Sequence, residues 1–415
     1  MTASRHPPRF DVFAWVLLDW AASGFSTVLI TLVVAYVERV AFADRPWGLD
    51  AGVVWPWTLA LAMLVSAVLT PGFSAWADRR KRHKTALITS VVTGVIALGL
   101  LAVAPPAYRL TVLAAVVLGN VGFDLAAVFT GSLLANIASG KEADRYSAWG
   151  FAAGYAGGGI ALVIATILAS NHESLGVSMA GGLRLAFAFT GLWWLIFSLP
   201  AAVARFEEPN SNQHAETAAG ELLAFARSLW RPGEAAGRQL AATLLGSMLI
   251  LGAVQTAIAQ FSSVALEEFS LAPHALVRLV LLVQAVALPG ALAIGWISQH
   301  IGRRPALIMC LLGWMSVLTL AYFIQSATQL YYLAVLLALV LGGVQSVVRA
   351  TVAEAAPAGR AGVTFGLLQV GSKLTGAAAG LAFGGLTFLT GHPRTGLIAL
   401  LAQLLVGWWA LRRMR

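Results

Sequence analysis

The sequence predicts an all-α membrane protein with about twelve transmembrane helices in two pseudo-symmetric bundles of six. Three observations lead to this fold class: the composition, the spacing of the apolar stretches, and a likeness between the two halves of the chain. Of the 415 residues, 59% are hydrophobic and 11% are charged, and the mean hydropathy is +0.80. An ordinary soluble domain has about 45–50% apolar and about 25% charged residues. This chain therefore has too little polar surface to stay dissolved in water.

A membrane-spanning helix requires about 20 mostly apolar residues, and the chain contains about twelve such stretches. The predicted spans are 13–38, 53–76, 85–104, 109–138, 147–170, 184–204, 239–265, 275–298, 305–325, 329–353, 362–389 and 394–411. The N-terminus runs into the first span without a short apolar core and a small-residue cleavage site, which predicts an uncleaved first helix.

One long polar stretch, between spans six and seven, predicts a division of the chain into three regions. These are an N-terminal half at 1–206, a cytoplasmic linker at 207–237 and a C-terminal half at 238–415. Within the linker, the stretch ELLAFARSLWR at 221–231 carries apolar residues on one helical face. It is either a short amphipathic helix on the membrane surface or a solvated connection.

The distribution of lysine and arginine predicts the orientation in the membrane. With the N-terminus placed inside, the inward segments hold 19 basic residues and the outward segments hold 6. Basic residues are concentrated in cytoplasmic loops, so we expect both termini on the cytoplasmic side of the cell membrane. The net charge of +9 then reflects topology and does not indicate nucleic-acid binding. The single cysteine, Cys310, excludes an internal disulfide and a cysteine-clustered metal site.

Several segments recur at corresponding places in the two halves. The stretch SAWADRRKR, which begins at Ser74, corresponds to GWISQHIGRR, which begins at Gly295, and LGNV at 118 corresponds to LGGV at 341. GFAAGYAGGG at 150 corresponds more loosely to GLLQVGSKLTG at 366, and the three offsets of about 216 to 223 residues predict a duplicated six-helix unit. Transporters built from two such repeats hold their substrate at the repeat interface, near the middle of the membrane.

The stretch GWISQHIGRR is similar to the pattern G-x-x-x-D-R-x-G-R-R, the loop signature of the major facilitator superfamily. SAWADRRKR resembles a degraded copy, with Ser74 and Lys81 in place of glycines, and the second copy has Gln299 in place of the acid. The resemblance implies a conformational latch between helices, whereas plain inside-positive anchoring is the alternative. The implied latch residues are Asp78, Arg79, Arg82, Gly295, Arg303 and Arg304.

Four further stretches resemble a narrower branch of that superfamily. They are DWAASGF (19–25), WGFAAGYAGGG (149–159), LGGVQSVVRA (341–350), and FGL (365–367) followed by Lys373. They are similar to motifs of the vacuole-effluxer-like branch, which contains the autophagy-related amino-acid effluxer of fungal vacuoles. The resemblance implies a secondary transporter for an amino acid-like solute. The chain departs from the branch at Ala22, which replaces an asparagine, and at Val348 and Ala350, which replace two serines.

Four ionisable residues lie well inside the predicted spans, and each costs about 2.5–3.5 kcal/mol at a helix centre. Asp19 and Asp124 belong to the first half, and Arg349 and Lys373 belong to the second. A zwitterionic solute could bridge the acids and the bases, or the residues could pair directly and only hold the fold. A carboxylate in a dry cavity holds a proton more readily than one in water, so either acid could carry a coupled proton. The predicted substrate and proton-coupling residues are Asp19, Asp124, Tyr155, Gln345, Arg349 and Lys373.

Two runs of glycines at four-residue spacing predict close helix packing. They occupy equivalent helices of the two halves, and we expect them to be seams along which the halves rock. The residues are Gly150, Gly154 and Gly158 in helix five, and Gly376, Gly380 and Gly384 in helix eleven.

These observations favour a secondary active transporter that moves a small polar or zwitterionic solute by alternating access, with optional proton coupling. An exporter of amphipathic or drug-like compounds and a transport-inactive sensor or scaffold remain alternatives. An enzyme is disfavoured because all seven histidines are predicted in loops or termini, and no phosphate-binding G-x-x-x-x-G-K-[ST] motif occurs. We expect no cofactor, metal or nucleic-acid partner, and we expect a monomer that contacts its substrate, protons and membrane lipids.

Overall fold

A computed structural model describes residues 8–44, 51–80, 82–138, 140–206, 235–269, 271–355 and 361–412, together with positions 220 and 224. These residues form twelve long helices and no strand, which confirms the predicted all-α class. In chain order the helices are α1 (Arg9–Ala41), α2 (Ala51–Arg80), α3 (His83–Val103), α4 (Arg109–Ile137), α5 (Gly140–Ser170), α6 (Met179–Val203), α7 (Ala235–Glu268), α8 (Pro273–Ile301), α9 (Arg303–Phe323), α10 (Ala327–Ala355), α11 (Ala361–Thr390) and α12 (Pro393–Arg412). Both chain termini, Lys81 and all of the predicted amphipathic segment except position 224 lie outside the described residues.

Eleven of these helices are long and apolar enough to span a membrane. The other is α11, whose 30 residues include Lys373 and a run of glycines. Large apolar side chains point away from the protein on most of the helices. Val68 is 76% exposed, Val203 is 74% exposed and Leu389 is 78% exposed. A surface of this kind suits contact with lipid chains and not with water.

The first six helices and the last six helices form two bundles that meet along several helix pairs. The main contacts between the bundles run between α2 and α11 and between α5 and α8. Additional contacts join α1 to α8 and α5 to α10. The buried apolar side chains form one cluster that extends through both bundles, and the largest fully buried ones include Trp15 and Trp194 in the first and Trp314 in the second.

An arginine at a helix start supports the repeat relationship between the halves. Arg184 at the beginning of α6 donates to the carbonyl oxygens of Ala102 and Val103, at 2.6 and 2.7 Å, where α3 ends. Arg394 at the beginning of α12 donates to the carbonyl of Ile324, at 2.7 Å, just after α9. The last carbonyls of a helix lack partners within the helix, and a cation is favourable there. An arginine near the start of one helix thus binds the carbonyl end of another helix at equivalent places in both bundles.

Candidate transport site between the two halves

An ion pair in the middle of the protein joins the two halves. The Nζ atom of Lys373 on α11 lies 2.6 Å from Oδ1 of Asp124 on α4 and 2.9 Å from Oε1 of Gln255 on α7. The side chains of Lys373 and Asp124 are only 12% and 9% exposed. The ammonium group is thus satisfied by a carboxylate from one half and an amide from the other. Direct acid–base pairing, one of the two sequence-based alternatives, applies to these two residues in this structure.

The other acid and base, Asp19 on α1 and Arg349 on α10, are arranged differently. Their charges attract each other, but the two side chains do not approach within the 4.0 Å of an ion pair. The Arg349 guanidinium instead donates to Oγ of Ser147 at 3.2 Å, and it lies over the ring of Phe151 at 4.9 Å. Both of these partners are on α5 in the first half. Arg349 therefore crosses to the first half without being neutralised there by a bonded carboxylate.

Tyr155 also crosses between the halves. A Cβ atom added to Gly342 on α10 would lie 2.7 Å from the Tyr155 hydroxyl oxygen, so the tyrosine packs directly on that glycine. Gln345 is partly buried and lies one helical turn before Arg349. Asp19, Tyr155, Gln345 and Arg349 thus belong to one region where α1, α5 and α10 meet, while Asp124 and Lys373 belong to a second region.

The glycines of α5 face a row of polar side chains on α1. A Cβ atom at Gly150 would collide with Oδ2 of Asp19. At Gly154 it would lie 2.6 Å from Oγ of Ser23, and at Gly158 it would lie 2.6 Å from Oγ1 of Thr27. Residues four apart lie on one face of a helix. Each polar side chain of the α1 row, defined as Asp19, Ser23 and Thr27, therefore occupies the space that one glycine leaves open.

Thr27, the last residue of the α1 row, makes a hydrogen bond to the second half. Gln284 on α8 donates through Nε2 to Oγ1 of Thr27 at 2.7 Å. A Cβ atom at Gly158 would lie 2.9 Å from the same Nε2, so only a glycine leaves room for this bond. Nearer the C-terminal end of α1, Arg39 donates to the carbonyl oxygen of Leu271 at 3.2 Å, which adds another contact between the halves.

The glycines of α11 face a different partner. A Cβ atom at Gly376 would lie 3.1 Å from Sδ of Met63, one at Gly380 would lie 3.7 Å from Cβ of Ala60, and one at Gly384 would lie 3.1 Å from Nε1 of Trp57. All three neighbours belong to α2 in the first half. The α11 run therefore lies directly between the halves, whereas the α5 run lies mostly against α1 of its own half.

The residues of the implied latch lie at the ends of helices, around the junctions between α2 and α3 and between α8 and α9. The side chains of Asp78 and Arg79 are outside the described residues. Arg82 and Arg304 are exposed, and a Cβ atom at Gly295 would lie 4.0 Å from Cβ of Ala148 on α5. Arg303 begins α9 directly after Gly302, whose φ of +90° favours glycine. The latch itself remains a prediction.

Several residues that complete these contacts were not predicted as site residues from the sequence. Gln255 and Gln284 are amides within apolar spans, and Ser147 and Thr27 are hydroxyl residues that occur in many membrane helices. A buried amide usually bonds to a neighbouring helix, and the sequence alone does not show which helix that is. The four-residue spacing of Asp19, Ser23 and Thr27 does indicate a contact with α5, because it repeats the spacing of the α5 glycines. Among the described residues, no group of His, Cys, Asp and Glu is arranged to hold a metal ion.

Solved transporter structures share this helix arrangement. A D-xylose–proton symporter superposes with a TM-score of 0.70 at 15% identity, over 98% of each chain. The human organic anion transporter MFSD10 (TETRAN) superposes with a TM-score of 0.67 at 16% identity, over 97% of this chain and all of that one. Likeness at this level of identity establishes the fold. The chain therefore has the fold of the major facilitator superfamily.

Sequence comparison places the chain more narrowly. The profile of the vacuole effluxer Atg22-like family matches residues 47–414, and the chain belongs to this family. It is 25% identical over 397 residues to the uncharacterized MFS-type transporter YxiO of Bacillus subtilis (strain 168), covering 95% of this chain and 92% of that protein. Autophagy-related protein 22 of Pyricularia oryzae is 27% identical over 216 residues, which is 46% of this chain and 32% of that protein. The family predicted from four short motifs is therefore confirmed.

Proposed function

We propose that this protein is a secondary transporter that carries a small zwitterionic solute, such as an amino acid, across the cell membrane by alternating access. One observation carries the proposal. Asp124 and Lys373 are already bonded to each other at 2.6 Å, while Asp19 and Arg349 face the same region without an ion pair between them. The second set is the one with charge available for a solute.

The chemistry of the Asp19 and Arg349 set matches the two charges of an amino acid. A guanidinium group binds a carboxylate through two parallel hydrogen bonds, and a carboxylate binds an ammonium group. The two residues come from different halves, so a solute that contacts both would draw the halves together. Ser147 and Phe151 hold the guanidinium in place from the first half, which reduces the ordering required when the solute binds.

Proton coupling is assigned to Asp19. Because no described base forms an ion pair with it, its carboxylate can exchange a proton with water in an open cavity. A proton and the ammonium group of the solute would compete for the same carboxylate, and such competition links the two binding equilibria. We propose that Lys373 and Asp124 act differently, as a tie between the halves. Membership of a family of vacuole effluxers supports a transport role for the whole chain.

The test is uptake into liposomes that contain the purified protein, under imposed pH gradients. The solute panel pairs each labelled amino acid with its N-acetyl derivative, which lacks the ammonium group, and its amide, which lacks the carboxylate. We expect accumulation of the zwitterion and little transport of either derivative. Equal transport of all three would overturn the proposal, and selective transport of amphipathic compounds would favour the exporter alternative.

The substitution Arg349→Gln should weaken solute binding while the protein remains folded and inserted. A hydrogen bond to a charged group contributes about 1.5–3 kcal/mol, so the apparent affinity should fall roughly 10- to 150-fold. The matched control is Arg278→Gln, which removes an exposed arginine from α8 and should leave uptake unchanged. Unaltered affinity in Arg349→Gln would remove this residue from the site.

A further inference from the structure

A small cavity lies inside the second half, away from the Asp19 and Arg349 region. It is in the outer third of the bundle, between α7, α9, α10 and α12, and its volume is about 50 Å³. Most of its wall is apolar and includes Phe261, Val317, Leu333 and Leu337. At the outer side, Phe269 and Ile324 close the wall, and Arg394 holds both of them by lying 5.0 Å from the phenyl ring and bonding to the isoleucine carbonyl.

Two residues that line this cavity carry buried polar groups that have no hydrogen-bond partner among the described residues. They are Oε1 of Gln260 and Nε1 of Trp314. Gln260 is 2% exposed and Trp314 is 1% exposed, so water outside the protein does not satisfy them. Buried polar groups in proteins nearly always have a partner, because leaving one unpaired is unfavourable. The cavity that both residues line gives a partner room to approach them.

The two groups define the chemistry of that partner. Trp314 presents a donor and the Gln260 oxygen presents an acceptor. A hydroxyl group can accept from the first and donate to the second at the same time. A carboxylate has no proton to donate, and an ammonium group has no lone pair to accept with. The pair of residues therefore selects a hydroxyl group.

The volume limits the rest of the ligand. One water requires about 10–15 Å³ of such space, and an engineered cavity of about 150 Å³ holds benzene. A volume of 50 Å³ therefore admits a few waters or an alcohol of roughly one to three carbons. The apolar wall favours the alcohol, whose alkyl part leaves no further polar group to satisfy.

We infer that this cavity is a binding site for the hydroxyl group of a short-chain alcohol, distinct from the transport site. Cys310, the single cysteine of the chain, allows a direct test in a Cys310→Ala background. Leu333→Cys places a thiol on the cavity wall, and its reaction with the small neutral reagent methyl methanethiolsulfonate is followed in the full-length protein with and without 1-propanol. The control Leu98→Cys places a thiol at a fully buried position in the first half.

The thiol at position 333 should react, and the thiol at position 98 should not. At a propanol concentration ten times the half-protecting one, mass action predicts that labelling slows about tenfold. Gln260→Leu removes the acceptor and should abolish this protection, and Trp314→Phe, which keeps a ring in place, provides a second variant. Labelling that propanol does not slow would mean that the cavity holds only water. Protection that survives both variants would mean nonspecific partitioning, and a thiol at 333 that does not react would mean that the site is closed. Each of these three results overturns the inference, and none depends on which solute is transported.

Discussion

Asp124 and Lys373 lie in different halves of the protein, and neither is exposed enough for water to replace its partner. Their side chains are 9% and 12% exposed and the ion pair is 2.6 Å long. Gln255 supplies a second bond to the ammonium group at 2.9 Å. Removing one member of a buried ion pair leaves the other charge uncompensated, which is more harmful than removing both.

Single substitutions at this pair should therefore destabilise the protein more than the double substitution does. Asp124→Asn or Lys373→Gln should each lower the free energy of unfolding by about 3–5 kcal/mol. The double variant should recover most of this loss. Thermal unfolding of the purified protein in detergent measures the effect, and equal stability of the single and double variants would show that the two residues are not energetically coupled.

Asp19 should behave differently, because no described base forms an ion pair with it. The substitution Asp19→Asn keeps the size of the side chain but removes its charge and its exchangeable proton. We expect loss of accumulation driven by a pH gradient, while exchange of solute across the membrane is retained. The control is Asp44→Asn, which removes an acid bonded to Arg109 outside the site. Full gradient-driven accumulation by Asp19→Asn would exclude it as the proton carrier.

The sequence was sufficient to identify these charged residues but not to pair them. Charges inside a span are recognisable because of their cost in a membrane. Whether Lys373 bonds to Asp124 or meets Asp19 depends on how α11 and α4 approach each other, which is a property of the packed bundles. The sequence also gave no reason to choose Gln255 and Gln284 over Gln345, since all three are amides within apolar helices.

At the scale of helices, the contact between α1 and α5 leaves little space for added atoms. Gly158 leaves room for both Thr27 and its bond from Gln284. The next residue, Gly159, faces Gln284 less closely, with 3.8 Å between the position of an added Cβ and the glutamine Cβ. A methyl group added at Gly158 would therefore be crowded, whereas one added at the adjacent Gly159 would not.

Gly158→Ala should destabilise the protein, whereas Gly159→Ala should not. The added methyl group at position 158 would meet Thr27 at 2.6 Å, and forced overpacking of this kind costs roughly 1–3 kcal/mol. At position 159 the same change enters ordinary contact distance, and alanine favours a helix over glycine. Comparison of the two unfolding midpoints checks the prediction, which fails if both variants unfold at the same temperature.

The glycine spacing predicted close packing but not the partner of each run. Both runs were expected to be seams between the halves. The α11 run does face α2 of the other half, but the α5 run mostly faces α1 of the same half, with Gln284 reaching it at Gly158. Small residues show that a backbone approaches closely. Which backbone approaches depends on helix order in space, and the sequence supplied that order only through its family resemblance.

At the scale of the whole molecule, the number of helices and their positions along the chain followed from hydropathy alone. Twelve apolar stretches were expected, and the described residues form twelve helices, including separate helices on both sides of the short breaks near 105 and 326. The first of these breaks can be recognised in the sequence because it contains Pro105 and Pro106, and proline interrupts a helix. The helix ends differ from the prediction by a few residues, since helices extend beyond the apolar segment that the membrane requires.

The orientation in the membrane remains a prediction with a direct test. In the Cys310→Ala background, a cysteine at Ser326 in the loop between α9 and α10 should react with an impermeant reagent added outside intact cells. A cysteine at Ser211 in the linker should react only after the membrane is opened. The expectation rests on the excess of basic residues in the inward segments. Labelling of Ser211→Cys from outside would reverse the topology.

The polar side chains of the α1 row pack into the gaps that the glycines of α5 leave. The gaps lie at Gly150, Gly154 and Gly158, and each holds one side chain of the row. Sliding α1 along α5 by less than one helical turn, about 5.4 Å, would therefore press these side chains against the α5 backbone. The two helices can separate or move as a unit, but they cannot slip gradually past one another. A displacement of α5 by its neighbours α8 and α10 would therefore carry Asp19 with it at a fixed depth.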